Sequence, residues 1–307
     1  MSIDKAKLRI IFFGTPDFAV ASLKAIVSAG YQVVAVVTAP DKAAGRGYNL
    51  QSSAVKKAGL EMGLKVLQPE KLKSPEFIQE LQNLKADIQI VIAFRMLPEL
   101  VWNMPPMGTF NLHASYLPNY RGAAPINRAI MDGCKETGVS TFFLKHEIDT
   151  GSIILREKVA IGDNENAGSL HDRLMLTGAD LVVKSLDTIC QGNTELIEQE
   201  KGEFPIAPKI FTEDCEINWH QSAVKIHNMI RGLSPYPAAF TTFHNKKLKV
   251  FESEITDMIS TQAGHIEILG KDQLLAHTND RILLLKEVQY EGKKRMSVKD
   301  FINGFKP

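Results

Sequence analysis

Asn111 and His113 stand two residues apart in the stretch NLHASYLPNYRGAAPI, Asn111 to Ile126. In an extended strand such positions share one face. An amide beside an imidazole can hold a carbonyl oxygen and move a proton. A histidine titrates near pH 6.5 when unperturbed, so His113 can serve as acid or base near neutrality. Asn111 can donate to an oxygen that turns negative during acyl transfer; losing such a donor typically costs about 10²–10³ in rate. A third polar residue, Asp149, lies in His146-Glu147-Ile148-Asp149-Thr150-Gly151, an acid-bearing turn between two apolar runs. That turn can return to the sheet edge beside His113, where a carboxylate would orient the imidazole and favour its charged form. A nucleophile is missing: Ser115 is not in a GxSxG setting, and no cysteine is near in sequence. The set therefore points to direct transfer between two bound substrates. No HExxH or clustered Cys/His spacing occurs, so no metal is expected.

The elements that must position these residues follow from the apolar pattern. Leu8–Phe13 is a compact apolar run ending at Gly14, as expected of a buried strand before a turn. A helical pattern with Phe18, Leu23, Ile26 and Val27 follows and stops at Gly30; Val33–Val37 is a second strand. Strand, glycine turn, helix, strand opens an α/β parallel sheet. GTPDFA has one glycine after the first strand, so GxGxxG is absent and a nicotinamide or flavin is disfavoured. Further strands are expected at 87–93, 109–113, 139–143 and 153–159. Helices are expected at 54–62, from Pro75 behind a Ser74 cap, near 99–103, 125–132 and 169–191. Asn111 and His113 then sit at the C-terminal end of a strand, the edge where open parallel sheets hold ligands. Residues 38–53 form a long polar connection carrying Lys42, Arg46 and Tyr48, read as a solvated loop or an arm that touches phosphates. The polar stretch 191–208 reads as a connection with the inter-domain linker in its later part. A helix at 222–233 and short strands near 239–243, 248–254, 265–269, 274–277 and 282–288 suggest a small barrel. Lys246, Lys247 and Lys249 cluster on one of its hairpins, and Lys293, Lys294 and Arg295 on another turn.

The bulk numbers bound this reading. With 307 residues there is room for two domains. A net charge of +1 restricts any polyanion surface to a local patch. Three distant cysteines, Cys134, Cys190 and Cys215, imply reduced thiols in the cytosol. The N-terminal apolar run is too short for a signal peptide, and no membrane span is expected.

On these residues the chain resembles the methionyl-tRNA formyltransferase family along essentially its whole length. The carrying motifs are GTPDFA (14–19), PDKAAGRG (40–47), NLHASYLPNYRGAAPI (111–126), GVSTFFLKHEIDTGSII (138–154) and APKIFTEDCEINW (207–219). The resemblance implies a Rossmann-like, open, mostly parallel sheet with helices on both faces over residues 1–204. A linker at 205–211 and an OB-like C-terminal β-barrel at 212–307 complete the implied organisation. It implies 10-formyltetrahydrofolate as formyl donor and the methionine amine of initiator methionyl-tRNA as acceptor, with Asn111, His113 and Asp149 catalytic. Ser115, Tyr116, Leu117 and Pro118 match the family's folate-binding SLLP turn, with tyrosine where leucine is usual. Phe94, Arg95, Met96 and Leu97 match a second pocket segment, one residue shorter than usual. Arg46, with Lys42 nearby, matches the basic loop that engages the tRNA acceptor end. The lysines at 246, 247 and 249 are candidates on the barrel. The implied protein is a cytoplasmic monomer. The competing expectations are a folate-dependent formyltransferase acting on an amino sugar nucleotide or other small amine, and a non-catalytic tRNA-binding protein.

Overall fold

The computed structural model describes residues 3–44, 49–192 and 194–305. They form two compact units. The first comprises Met1–Arg121, Gly138–Val159 and Asp172–Pro205; the second comprises Gly122–Thr137, Ala160–His171 and Ile206–Pro307.

A seven-stranded sheet organises the first unit. Its order is Ile153–Ala160, Glu136–Phe143, Thr109–His113, Ile88–Ile92, Arg9–Gly14, Gln32–Val37 and Val66–Leu67. From Thr109–His113 onward every pairing is parallel, and Glu136–Phe143 joins antiparallel. The parallel strands are covered on both faces, which is why they read as unbroken apolar runs: every residue of Ile88–Ile92 is buried. The chain steps outward from Arg9–Gly14 in one direction, then returns to its other side with Ile88–Ile92. That reversal opens a crevice at the C-terminal strand ends, the usual ligand position in such sheets. Gly14 makes the first turn possible. A Cβ there would stand 2.7 Å from Ala19 Cβ and 3.2 Å from the Ile92 carbonyl oxygen.

The second unit carries an antiparallel sheet ordered Ala239–Phe243, Lys246–Ile259, Arg281–Tyr290, Gln273–His277 and Ile266–Leu269, with Met296–Ser297 paired to Arg281–Tyr290. Leu248, Val250, Leu274, Leu283, Leu285 and Val288 of this OB-like sheet close on the helix Ala223–Leu233 through Ile226, Ile230 and Leu233.

Several elements depart from the sequence expectation. The 38–53 connection contains a hairpin, Lys42–Ala44 against Asn49–Gln51, too short to give a periodic signal. The expected strand 248–254 is 14 residues long, Lys246–Ile259. Register shifts near Val250–Ser253 and Ile255–Ile259 bend it, and its polar outer half hid the extension. The sequence reading has no element at 298–304, where a short helix lies capped by Ser297, whose side chain accepts from the Asp300 N–H. No helix among the described residues is long and apolar enough to cross a membrane.

Candidate active site

The strand Thr109–His113 alternates as its sequence dictates. Phe110 and Leu112 turn into the core, and Leu112 packs against Gly178 of the helix Ala167–Gln191, where a Cβ would stand 2.7 Å from Leu112 Cδ2. Asn111 and His113 take the opposite face. Asn111 lies between Val91 and Phe142 in register and is half-buried. Its side-chain amide has no hydrogen-bond partner among the described residues, so it is available to a ligand oxygen.

His113 is 7% exposed. Its Nε2 lies 2.9 Å from the Tyr120 carbonyl oxygen. A carbonyl only accepts, so Nε2 carries the hydrogen and donates. Nδ1 is then the nitrogen that gains and loses a proton. It stands 3.7 Å from Asp149 Oδ2, an ion-pair distance too long for a direct hydrogen bond. Asp149 reaches this position from a turn in which it adopts φ = +56°, a left-handed conformation that aspartate tolerates better than most residues. The loop doubles back tightly at Gly151, where a Cβ would stand 1.6 Å from the Phe143 carbonyl oxygen. The acid-bearing turn thus returns to the strand end that holds the Asn-x-His pair.

A mesh of hydrogen bonds fixes the surroundings. Ser115 Oγ donates to the Asn119 carbonyl (2.6 Å), which engages that hydroxyl. Ser140 Oγ donates to the Ser115 carbonyl (2.8 Å) and accepts from the Leu117 N–H (3.0 Å), and Arg156 Nη1 donates to the Leu117 carbonyl (2.8 Å). Leu117 is buried with Phe142 and Ile153, and Pro118 is buried after a cis peptide bond. Tyr116 is half-buried, with the Arg156 guanidinium 4.4 Å and Lys158 Nζ 5.4 Å from its ring centre. The 94–97 segment divides similarly. Leu97 is core, Phe94 packs edge-on against Phe13, and Arg95 donates to the Glu70 (2.9 Å) and Pro69 carbonyls. Met96 alone of the four is free, at 75% exposure, with Leu100 and Ile148 also exposed on the same unit. His146, expected as a turn residue, stands 3.2 Å from Glu99 and edge-on to Trp102.

Sequence reasoning missed one member of this neighbourhood. Gln199 Nε2 lies 2.8 Å from both the Asp149 and Gly151 carbonyl oxygens. Arg121 Nε and Nη2 donate to Gln199 Oε1 at 3.0 and 2.5 Å. Next to it, Glu198 accepts from Ser152 Oγ (2.6 Å) and Lys145 Nζ (3.1 Å), and these partners hold its carboxyl below the usual range. Ile197 pairs its backbone with Ile153. The only sequence signal was polarity, which described a connection equally well.

The basic residues belong to other elements. Lys42 is exposed at the start of the short hairpin, whose base is fixed by Asp41, paired with Lys56 at 2.5 Å and Gln68 at 2.9 Å. Arg46 and Tyr48 fall outside the described residues. Lys247 and Lys249 share one face of the second unit's long strand, and Lys246 takes the other. Lys247 Nζ lies 3.9 Å over the Phe240 ring, Lys246 Nζ 5.7 Å over Tyr290, and Lys249 Nζ donates to the Pro237 carbonyl at 3.3 Å.

An Asn–His–Asp set at the ligand edge of a mostly parallel sheet is suited to transfer of a carbonyl group from one bound substrate to another. The comparisons give that class its family: the chain belongs to the formyl transferases. The formyl transferase family matches residues 7–186, and the formyl transferase C-terminal domain matches residues 209–306. The chain is 50% identical to a methionyl-tRNA formyltransferase from Bacteroides fragilis, over 98% of this chain and 96% of that one. A methionyl-tRNA formyltransferase from Parabacteroides distasonis is also 50% identical, over 98% and 97% of the two chains. Among solved structures, the N-formyltransferase from Helicobacter canadensis in complex with folinic acid and dTDP-3-aminofucose superposes with a TM-score of 0.68 at 21% identity. It matches 90% of this chain and 98% of that one, and so shares the fold.

Proposed function

We infer that this protein transfers the formyl group of 10-formyltetrahydrofolate to the free amine of the methionine on initiator methionyl-tRNA, giving N-formylmethionyl-tRNA for translation initiation. The observation that carries this reading is the half-identity, over nearly the full length of both chains, to relatives bearing that activity in their names. The amino sugar nucleotide alternative has only a fold-level likeness behind it.

The residues present suit a formyl-bearing folate. Asn111 offers an unspent amide at the strand end, and Met96 offers an exposed apolar side chain. Folate supplies the activated formyl carbon: the bond from the methionine nitrogen to that carbon forms, the carbon's bond to N10 of the folate breaks, and the proton lost by the amine ends on N10 of the departing tetrahydrofolate. Asn111 donates to the formyl oxygen as charge builds on it while the amine adds. Protonated at Nδ1, His113 adds a second positive donor there, and its Nε2–H bond to Tyr120 holds the ring in place. Asp149 faces Nδ1 at 3.7 Å and orients the ring from that side. With Ser115 Oγ engaged by Asn119, transfer is direct and forms no covalent enzyme intermediate. Ser115–Pro118 and Phe94–Leu97 form the folate wall, with Tyr116 and Met96 contributing side chains and the others the shape of the backbone. Arg46, Lys42, Lys246, Lys247 and Lys249 meet the tRNA. In this reading residues 1–204 carry the chemistry, 205–211 link, and 212–307 hold the tRNA. The protein works as a monomer in the cytoplasm. Offering initiator and elongator methionyl-tRNA side by side with 10-formyltetrahydrofolate tests this. Formylation of the initiator species supports the reading, and no product where a known enzyme succeeds overturns it.

A further inference from the structure

We propose that Gln199 is a positioning residue for the transfer, acting through Asp149; the proposal rests on the reading above. Asp149 is carried on the loop of nine residues between the strands Glu136–Phe143 and Ile153–Ala160 and adopts a left-handed conformation there. Such a backbone is costly and persists only where its surroundings hold it. Three consecutive residues, Ile197, Glu198 and Gln199, provide that hold from fifty positions away. The backbone of Ile197 exchanges two hydrogen bonds with Ile153, at 2.8 and 2.9 Å. Glu198 takes Ser152 and Lys145.

Gln199 makes the decisive contact. Its one NH₂ group spans the carbonyls of Asp149 and Gly151, each at 2.8 Å, and so fixes the backbone on both sides of Thr150. An amide could face either way, but here the choice is forced. The guanidinium of Arg121 can only donate, so Gln199 must present Oε1 to it and NH₂ to the two carbonyls. Arg121 thereby sets the orientation of Gln199, and Gln199 sets the distance between the Asp149 carboxylate and His113 Nδ1. A carboxylate displaced by about 1 Å no longer supports the imidazolium as well, and misplacements of that size can cost about 10²-fold in rate.

Gln199→Glu separates this role from simple packing. Glutamate keeps the shape and the Arg121 partner but replaces two donors with an acceptor facing two carbonyls. We expect kcat for methionyl-tRNA formylation to fall about 10- to 100-fold, with KM for folate and for tRNA within about twofold of the parent. In an Asp149→Asn background the same change should alter kcat by less than about twofold, because the group it positions is already lost. Arg121→Met leaves both donor bonds of Gln199 in place and should give a smaller fall, about 3- to 10-fold, that also vanishes beside Asp149→Asn. It serves where Gln199→Glu does not fold as judged by circular dichroism. Wild-type kcat in the folded variant, a rise in KM in place of the kcat loss, or a loss that multiplies with that of Asp149→Asn overturns the proposal. An inactive parent overturns the functional reading, and the proposal with it. An active parent with an unaffected Gln199→Glu variant overturns the proposal alone.

Discussion

In the proposed reaction His113 and Lys247 both face a substrate, and the molecule treats them in opposite ways. The imidazole is 7% exposed, held at Nε2 by a backbone carbonyl at 2.9 Å and faced at Nδ1 by a carboxylate at 3.7 Å. The ammonium of Lys247 is exposed on a sheet, its position biased only by the Phe240 ring 3.9 Å below. The difference follows from what each must meet. A group that acts on one oxygen at one moment gains from a fixed position, so backbone and buried polar atoms are committed to it. A group that meets a chain of phosphates gains little from being fixed, since the attraction is long-ranged and any of several phosphates serves. A side chain resting its stem on an apolar surface with its charge in water is enough.

Substitutions should break the two regions differently. The largest effect is expected for His113→Ala, with kcat down about 10²–10⁴-fold and KM values near normal, as measured by steady-state formylation. Asn111→Ala should follow with about 10²–10³, because it removes one donor to the developing oxyanion and leaves the fold intact. On the tRNA side, Arg46→Ala and Lys247→Ala should each weaken use of charged tRNA only several-fold, with folate binding unchanged. Each should reduce the slope of log affinity against log salt by about 1. Equal kinetics for Arg46→Ala would remove the 38–53 arm from the tRNA surface.

The smallest effect concerns stability. Burial, and the charge of Arg231 beside it, push the proton affinity of His227 down; its Nδ1 meets Ser253 Oγ at 3.1 Å. The folded state therefore resists a proton that the unfolded chain accepts near pH 6.5. Its stability contribution is present above that pH and is lost as pH falls toward the depressed folded value. Thermal unfolding between pH 7.5 and 5.5 should show a steeper loss for the parent than for His227→Gln. Parallel curves would remove His227 as the source.

What could be read from the sequence divides along the same physical line. The Asn111–His113 pair was legible because a strand repeats every two residues, and both residues sit inside one apolar strand. The ligand edge was legible because buried parallel strands read as unbroken apolar runs. Asp149 was legible as an acid in a turn with a glycine two residues on. Gln199 was not. Its partners are 48, 50 and 78 positions away, its stretch has no apolar period, and polarity marks a brace and a linker alike. The partition of Phe94–Leu97 was hidden for a related reason. The matching motif named the segment, but only packing decides that Leu97 turns into the core, that Arg95 binds carbonyls and that Met96 is left outside. The short helix at 298–304 escaped because seven residues hold too little period to stand out beside a lysine-rich turn.

The most direct measurement is a competition for one formyl group. The protein is given limiting 10-formyltetrahydrofolate with initiator methionyl-tRNA and an amino sugar nucleotide at equal concentration, and both acceptors are analysed for product. The formyl group is expected on the methionine amine, with the signal abolished by His113→Ala. Formylated sugar beside unmodified tRNA, or full activity without His113, would contradict the account.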